Sequence, residues 1–413
     1  MNILLINHYA GSKRHGMEFR PYYLAREWVR SGHRVQIVAA SHSHVRSRQP
    51  EMPPSGGPLD ETIDGIAYRW WPTPAYAGNG LGRVRNIWAF LSQVWRDAPR
   101  LAQAFRPDVV IASSTYPMDI WVARRVARLA KAQLVYEVHD LWPASPIELS
   151  GMSPWHPFIL LCQKAEDDAY RDADAVVSML PKVAGHMAAH GLDLRRLHIV
   201  PNGISPEEWD APPAPLDPAL ATHLAALRAA GRPVVGYAGS HGMPNALDTL
   251  LDAAAQMAGE PVSFVLVGDG HERARLVQRL ADDPRLANVR WFPPVPKAQV
   301  PALLDGFDVA YIGWQRVPIY RFGIAPNKLM DYMMGGCAVL HSVDAGNDPV
   351  AEAGCGLTVP PGDSQAVARA LRELLALPRE ARQAMGRRGR THVLAHHTYP
   401  VLAARFIDAV GTP

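Results

Sequence analysis

"PVVGYAGS" (Pro233–Ser240) is a buried-strand pattern that runs directly into glycine and serine, and its place in the chain decides the fold. It follows "LHIVPNGISPEEW" (Leu197–Trp209), where a regular pattern lapses, and "DAPPAPLDPA" (Asp210–Ala219), a proline-rich stretch that reads as a linker. Before the lapse, short apolar runs alternate with helical segments. The runs are "NILLI" (Asn2–Ile6), "RVQIVAA" (Arg34–Ala40), "PDVVIASS" (Pro107–Ser114), "QLVYEVHD" (Gln133–Asp140) and "ADAVVSML" (Ala173–Leu180). Between the first two, Leu24 and Trp28 stand one helical turn apart and Gly32 is a stop signal. After Pro233 the alternation resumes in "VSFVLVGDG" (Val262–Gly270), "VRWFPPV" (Val289–Val295), "DVAYIGW" (Asp308–Trp314), "CAVLHSV" (Cys337–Val343) and "GLTVPPGD" (Gly356–Asp363). Such alternation predicts doubly wound parallel sheets. The expected architecture is two α/β domains in series, residues 1–205 and 206–395, facing a cleft. A C-terminal helical segment, residues 396–413, is expected to pack back on the first. Ligands of such sheets bind beyond the carboxyl ends of the strands.

Composition narrows the classes. A chain of 413 residues is too long for one ordinary core, and 48% hydrophobic with 20% charged residues suits a soluble globular protein. A net charge of +3 argues against nucleic acid as the main partner. Cys162, Cys337 and Cys355 are widely spaced, which fits a reducing, cytoplasmic compartment and gives no zinc spacing. "MNILLINHYAG" lacks a basic n-region and reads as a first strand, not a signal peptide. No apolar run reaches the length of a membrane span. Arginine greatly outnumbers the six lysines, so a lysine where arginine would serve points to a specific role.

Chemistry-bearing residues collect at strand ends. "NHYAGSKRHGMEFR" (Asn7–Arg20) follows the first strand; Gly11 and Gly16 permit close backbone approach, and Glu18 and Arg20 suit hydroxyls or a phosphate. The plain alternative is a mobile surface loop. It is not GxGxxG, so no dinucleotide is indicated. In "EVHDLWP" (Glu137–Pro143), His139 follows a buried strand. It can serve a substrate hydroxyl or be a satisfied core histidine beside an acid. "VPNGIS" (Val200–Ser205) is a structural tight turn at the hinge. In "GYAGSHGMPNALDTLLDA" (Gly236–Ala253), Gly239, Ser240 and Gly242 make a turn whose amides suit a phosphate. Next comes "VGDGHER" (Val267–Arg273), with Gly268 and Gly270, a second such turn that can meet a nucleobase. "IAPNKLMDYMMGGCAVL" (Ile324–Leu340) reads as loop, amphipathic helix and buried strand. Its Asn327, Lys328 and Asp331 suit either helix capping or a phosphate-and-sugar site. Asp172 and Asp174 of "RDADA" nominally match DxD but lead straight into a buried run. No His or Cys cluster shows metal spacing, so no metal is expected.

In this order the motifs resemble glycosyltransferase family 4 over nearly the whole chain, and most closely the bacterial O-antigen and capsule transferases of the L-fucosamine type. The likeness rests on "NHYAGSKRHGMEFRPYYLAREWVRSGHRVQIVAAS", "DLWPASPIELSGM", "VPNGIS", "GYAGSHGMPNALDTLLDAA", "VGDGHE" and "APNKLMDYMMGGCAVL". The resemblance implies the GT-B architecture, two Rossmann-like domains facing a central cleft, and sugar transfer from a nucleotide donor with retention. The donor would lie mostly on the second domain and the acceptor mostly on the first.

By the same resemblance, His139 looks like the family histidine near the donor sugar. Asp331 falls at the second acid of the E-x7-E motif, which binds the ribose. The first acid is absent: Gly323 stands there, so donor hydroxyls are expected to meet backbone near Phe322–Ile324. Ser240 and Asn245 occupy positions where many members carry an Arg and a Lys for the diphosphate. Lys328 is the expected replacement, with Arg316 and Arg321 nearby in sequence. The implied donor set is Gly239, Ser240, His241, Gly268, Gly270, Gly323, Ile324, Asn327, Lys328 and Asp331, with His139 and Lys328 catalytic.

By the same resemblance a UDP-sugar, with an N-acetylated aminosugar, is the favoured donor, and no metal cofactor is expected. The expected acceptor is a polyprenyl-diphosphate-linked saccharide of cell-surface polysaccharide biosynthesis. Same-face attack, with the departing phosphate taking the acceptor's proton, is the expected mechanism. "GRVRNIWAFLSQVWR" (Gly82–Arg96) sets Trp88, Phe90 and Trp95 among Arg83, Arg85 and Arg96, and "WHPFILLC" (Trp155–Cys162) adds apolar area. These suit contact with the cytoplasmic face of the inner membrane, or ordinary core-facing helices. The alternatives are a nucleotide-sugar 2-epimerase, a hydrolase or phosphorylase, and a non-catalytic nucleotide-sugar binding protein.

Overall fold

The structure is a computed structural model that describes residues 1–78 and 80–411. The chain divides into two compact units. Residues 1–202 form one together with the helix Tyr399–Val410, and residues 203–398 form the other. Residues 412 and 413 of the expected C-terminal segment lie outside the described residues.

The first unit is built on an eight-stranded sheet. Its strands are β1 (Asn2–Ile6), β2 (Arg34–Ala40), β3 (Leu59–Ile63), β4 (Ile66–Trp71), β5 (Val109–Ala112), β6 (Gln133–Val138), β7 (Ala175–Ser178) and β8 (Leu197–Ile199), in the order β3-β4-β2-β1-β5-β6-β7-β8. All neighbours are parallel except β3 and β4. Strands β1, β5 and β7 are mostly apolar and almost wholly buried, as a sheet covered on both faces requires. The β3–β4 hairpin is absent from the sequence expectation. Its signal was the dipeptide Asp64-Gly65, where both residues take positive φ (51° and 81°), the geometry of a two-residue hairpin turn.

Helix Arg20–Arg30 lays Tyr22, Leu24 and Trp28 on this sheet, and the helix Tyr399–Val410 closes over it. The Trp28 indole N–H donates to the Ala403 carbonyl at 3.2 Å, and Tyr23 stacks on Tyr399 at 4.6 Å. Leu402 and Phe406 are wholly buried there.

The second unit is a six-stranded, all-parallel sheet. Strands β9 (Val234–Ala238), β10 (Ser263–Val267), β11 (Val289–Phe292), β12 (Val309–Gly313), β13 (Ala338–Ser342) and β14 (Gly356–Val359) run in the order β11-β10-β9-β12-β13-β14. Each arises from one of the apolar runs that begin at Pro233. Alternate residues face opposite sides: Val235, Phe264 and Tyr311 join one core, Val234, Val265 and Ile312 the other. The proline-rich stretch is irregular only as far as Asp217, whose carboxylate accepts from the Ala219 N–H and starts the helix Pro218–Ala229. Among the described residues no helix is long and apolar enough to cross a membrane.

Candidate active site

In the second unit the strand order reverses at β9, which puts the turn after β9 at a topological switch point. Gly239 (φ 149°) and Gly268 (φ 152°) end β9 and β10 side by side. The two turns interlock. A Cβ on Gly268 would lie 1.9 Å from the Gly239 carbonyl oxygen, and the His241 N–H donates to the Asp269 carbonyl at 2.8 Å. His241 is packed beneath them with neither ring nitrogen bonded, and burial lowers its pKa. Gly270 packs its backbone on His241, while Ser240 stays exposed and its carbonyl accepts from the Tyr237 hydroxyl at 2.6 Å.

Helix Asn327–Met334 begins beside this turn. Its N-cap is Pro326 and no side chain caps it, so capping does not account for the polar residues at its start. Asn327 is exposed at the first helical position. Lys328 reaches back to the β9 turn. Its ammonium donates to the Tyr237 hydroxyl at 2.9 Å and to Asn245 Oδ1, and stands 4.7 Å from the Tyr237 ring centre. A Cβ on Gly239 would be 3.2 Å from Lys328 Nζ. Burial draws the Lys328 pKa down to about 8, and among the described residues no carboxylate pairs with it. Asn245, where a cation was looked for, instead helps to hold the Lys328 ammonium. Arg316 and Arg321 stand elsewhere: the first faces Asp344 at 3.5 Å, the second lies over Phe322.

One turn along, Asp331 accepts from Lys297 Nζ at 3.2 Å through Oδ1; burial raises its pKa against the pull of Lys297. Upstream of the helix, Gly323 takes φ 97°. The backbone of Ile324 does not offer the open contact expected of it. Its N–H donates to Asn347 Oδ1 at 2.7 Å and its carbonyl accepts from Asn347 Nδ2 at 3.1 Å, so the side-chain amide has taken both.

In the first unit the order reverses at β1, and a second polar cluster sits at the carboxyl ends of β5 and β6. His139 follows β6 and Ser113 follows β5. The Ser113 hydroxyl donates to Glu137 Oε2 at 2.6 Å, so it can only accept from His139 Nε2 at 3.1 Å, which fixes the proton on that nitrogen. Glu137 Oε2 is itself 3.4 Å from the ring. Burial disfavours a charged imidazole, but Glu137 outweighs it and the His139 pKa is raised. Burial likewise opposes the Glu137 carboxylate, yet Arg20 and then His139 hold it down at about 2. His139 is therefore both things the sequence left open, a core-anchored ring beside an acid and a group poised to carry charge.

Arg20 corrects an expectation. It does not face a ligand: it is fully buried, donating from Nε to Glu137 Oε1 at 2.9 Å and from its two other nitrogens to the Pro201 and Val200 carbonyls at 2.7 and 2.8 Å. All its donors point inward because a buried guanidinium must be satisfied. The loop before it is folded, not loose. The Gly11 N–H donates to the Glu18 carbonyl at 2.8 Å, a Cβ on Gly11 would strike the Gly16 carbonyl at 1.9 Å, and Gly16 takes φ 88°. Glu18 remains partly exposed and adds to the charge on His139.

Sequence reasoning missed Ser113, Tyr237, Lys297 and Asn347. A lone acid inside the apolar run "QLVYEV" was a signal for the Glu137 cluster, since buried carboxylates are rare unless paired. Asp172 pairs with Arg124 and Arg171, and Asp174 accepts from the Leu134 N–H at 2.8 Å, both at the start of β7. The expectation that no metal-ligand cluster exists does not hold, because Glu166, His186 and His190 bring ligand atoms within 4.8 Å of one another. "HMAAH" carried that i,i+4 spacing in plain sight.

Two Rossmann-like units in series, each with polar residues gathered beyond its strand ends, define the GT-B class of glycosyltransferase fold. The chain superposes on the sucrose-phosphate synthase of Thermosynechococcus elongatus with a TM-score of 0.70 at 18% identity, covering 98% of this chain and 96% of that one. The Anabaena protein Alr3699/HepE, solved with UDP and glucose, gives a TM-score of 0.66 at 16% identity over 98% of both chains. At these identities the likeness shows the fold alone. Residues 15–203 match the glycosyl transferase 4-like domain and residues 232–377 the glycosyl transferases group 1 domain, so both units carry glycosyltransferase domains. The chain is similar to the putative colanic acid biosynthesis glycosyl transferase WcaI of Escherichia coli K12 (28% identity over 35% of this chain and 36% of that protein). It is also similar to the probable glycosyltransferase WbjE of Pseudomonas aeruginosa (24% identity over 67% of this chain and 68% of that protein). The match to WcaI thus spans only about a third of that relative's length.

Proposed function

We propose that the protein is a retaining glycosyltransferase that moves a sugar, favoured as an N-acetylated aminosugar, from UDP to a polyprenyl-diphosphate-linked saccharide. The observation that carries this reading is Lys328: a partly buried cation without a carboxylate partner among the described residues, set against the open turn at Gly239. A diphosphate supplies the missing counter-charge. As the glycosidic bond breaks, charge grows on the leaving diphosphate; Lys328, the turn amides and the first amides of helix Asn327–Met334 lower that barrier by being in place beforehand. Asp331 holds the ribose hydroxyls, Gly268 and Gly270 pass the base, and His139 steadies the donor sugar from Nδ1. Same-face attack follows, with the departing phosphate taking the acceptor's proton.

The first unit takes the acceptor, near Gly11, Gly16 and Glu18. The UDP bound in HepE and the colanic acid in the name of WcaI support the donor base and a role in surface polysaccharide synthesis. Membrane contact is supported by exposed Trp88 (41%), Trp95 (42%), Trp155 (82%) and Leu160 (49%). Phe90 drops out of that set because it is fully buried in the core.

The test incubates the protein with UDP-, GDP- and dTDP-sugars, with and without a polyprenyl-diphosphate-linked saccharide, and follows products by NMR. Acceptor-dependent release of UDP with retained anomeric configuration is expected. An epimerised donor in the absence of acceptor supports the epimerase instead, and binding without turnover supports a sensor.

A further inference from the structure

We propose that Glu166, His186 and His190 form a divalent-metal site, best suited to Zn2+, that ties the helix Pro157–Asp172 to the short helix Ala184–Ala189. The site lies wholly in the first unit and does not depend on the transferase reading.

The cluster is built around a buried charge. Glu166 is 1% exposed, and its partners are a phenol, an amide and an imidazole: Tyr170 OH at 2.9 Å and His186 Nε2 at 3.1 Å on Oε1, and Gln163 Nε2 at 2.9 Å on Oε2. Among the described residues it has no ion pair with Lys or Arg. An imidazole provides counter-charge only while protonated. A divalent cation provides it outright and uses the neutral rings as ligands. The surroundings are also rich in acceptors. Gln163 Nε2, with two hydrogens, faces three of them: Glu166 Oε2, Asp167 Oδ1 at 2.8 Å and His190 Nδ1 at 3.0 Å.

The spacing fits a metal. His186 and His190 lie four residues apart with ring centres 4.6 Å from each other. The Glu166–His186 and Asp167–His190 separations of 3.1 and 3.0 Å approach the ~3.3 Å edge spanned by two ligands of a tetrahedral ion at ~2.0–2.1 Å. Tyr170 and Gln163 orient the glutamate from outside, as supporting groups around metal ligands do. The open side is formed by His186, His190 and Asp167, exposed by 16%, 32% and 48%, which leaves a path for the ion and room for Asp167 or water as fourth ligand. Two imidazoles with a carboxylate favour zinc over calcium or magnesium, which prefer all-oxygen sets. A six-residue helix is marginal alone, so a cross-link here stiffens the segment running on to Val200 and Pro201, where Arg20 is anchored.

The experiment uses the untagged full chain, stripped with chelator and dialysed, titrated with ZnCl2 by calorimetry, with Co2+ absorption as a second readout. Wild type is expected to bind one Zn2+ per chain, gain thermal stability and show a tetrahedral Co2+ spectrum. H186A/H190A is expected to keep its circular dichroism while losing about 100-fold in affinity; the isosteric Glu166→Gln loses about 10- to 100-fold. H392A/H396A, which removes another i,i+4 pair, is expected to bind as wild type does. Zinc stoichiometry near zero, unchanged binding by H186A/H190A, or loss of binding in H392A/H396A would each overturn the proposal.

Discussion

Lys328 and Glu137 carry opposite kinds of buried charge, and their responses to pH differ in sign. Burial lowers the Lys328 pKa to about 8, so the neutral amine takes over above that pH. Affinity for a nucleoside diphosphate should therefore fall as pH rises through about 8, with the midpoint moved upward once an anion is bound. Calorimetric titrations between pH 6.5 and 9.5 check this, and the slope should vanish in Lys328→Ala. Glu137 is held at about 2, below the ordinary carboxylate range, so its contribution to stability is complete above that range and is lost as pH falls toward 2. Glu137→Gln should destabilise the first unit by about 3–5 kcal/mol at neutral pH, because it strands the buried Arg20 guanidinium. The same variant should flatten the acid limb of stability measured by urea unfolding at pH 2 to 7. Arg20 itself was not legible as a structural residue. Its partners, Glu137 and the carbonyls of residues 200 and 201, are far off in sequence, and local pattern carries no trace of such pairings.

At the scale of elements, the strand-to-helix turns were the most legible part of the chain. An apolar run ending in glycine reports both that the strand is buried and that backbone must come close to something. At Gly268 that something is the neighbouring turn, whose Gly239 carbonyl it approaches; at Gly239 it is the Lys328 side chain. Gly268→Ala should lower donor affinity by at least about tenfold, or abolish soluble expression. The new methyl meets a carbonyl at 1.9 Å, and φ is unsuited to a side chain. A circular dichroism spectrum and a UDP titration read both. The β3–β4 hairpin was less legible because "LDETI" is polar on its exposed face and short, leaving Asp64-Gly65 as its main signal. The start of helix Asn327–Met334 was legible in residue type but not in partner. Nothing in the spacing says that Lys328 meets Tyr237 and Asn245 from β9 and the turn beyond it.

For the molecule as a whole, the division of labour follows the division of the chain. The first unit holds a charge-stabilised imidazole, and the second a Lys328 ammonium that no carboxylate pairs with among the described residues. The first also depends on the far end of the sequence, because the helix Tyr399–Val410 supplies Leu402 and Phe406 to its core. Phe406→Ala should cost about 3–5 kcal/mol, seen in denaturant as a shift of the first unit's transition while that of the second stays in place. The most direct measurement is calorimetric titration of UDP into wild type and Lys328→Ala at pH 7. A charge-assisted contact of about 1.5–3 kcal/mol corresponds to a roughly tenfold or greater weakening. The expected result is saturable binding to wild type and at least that loss in the variant, with folding unchanged. Equal binding to both proteins, or none to either at millimolar UDP, would contradict the assignment of the diphosphate to Lys328 and, in the second case, the donor site itself.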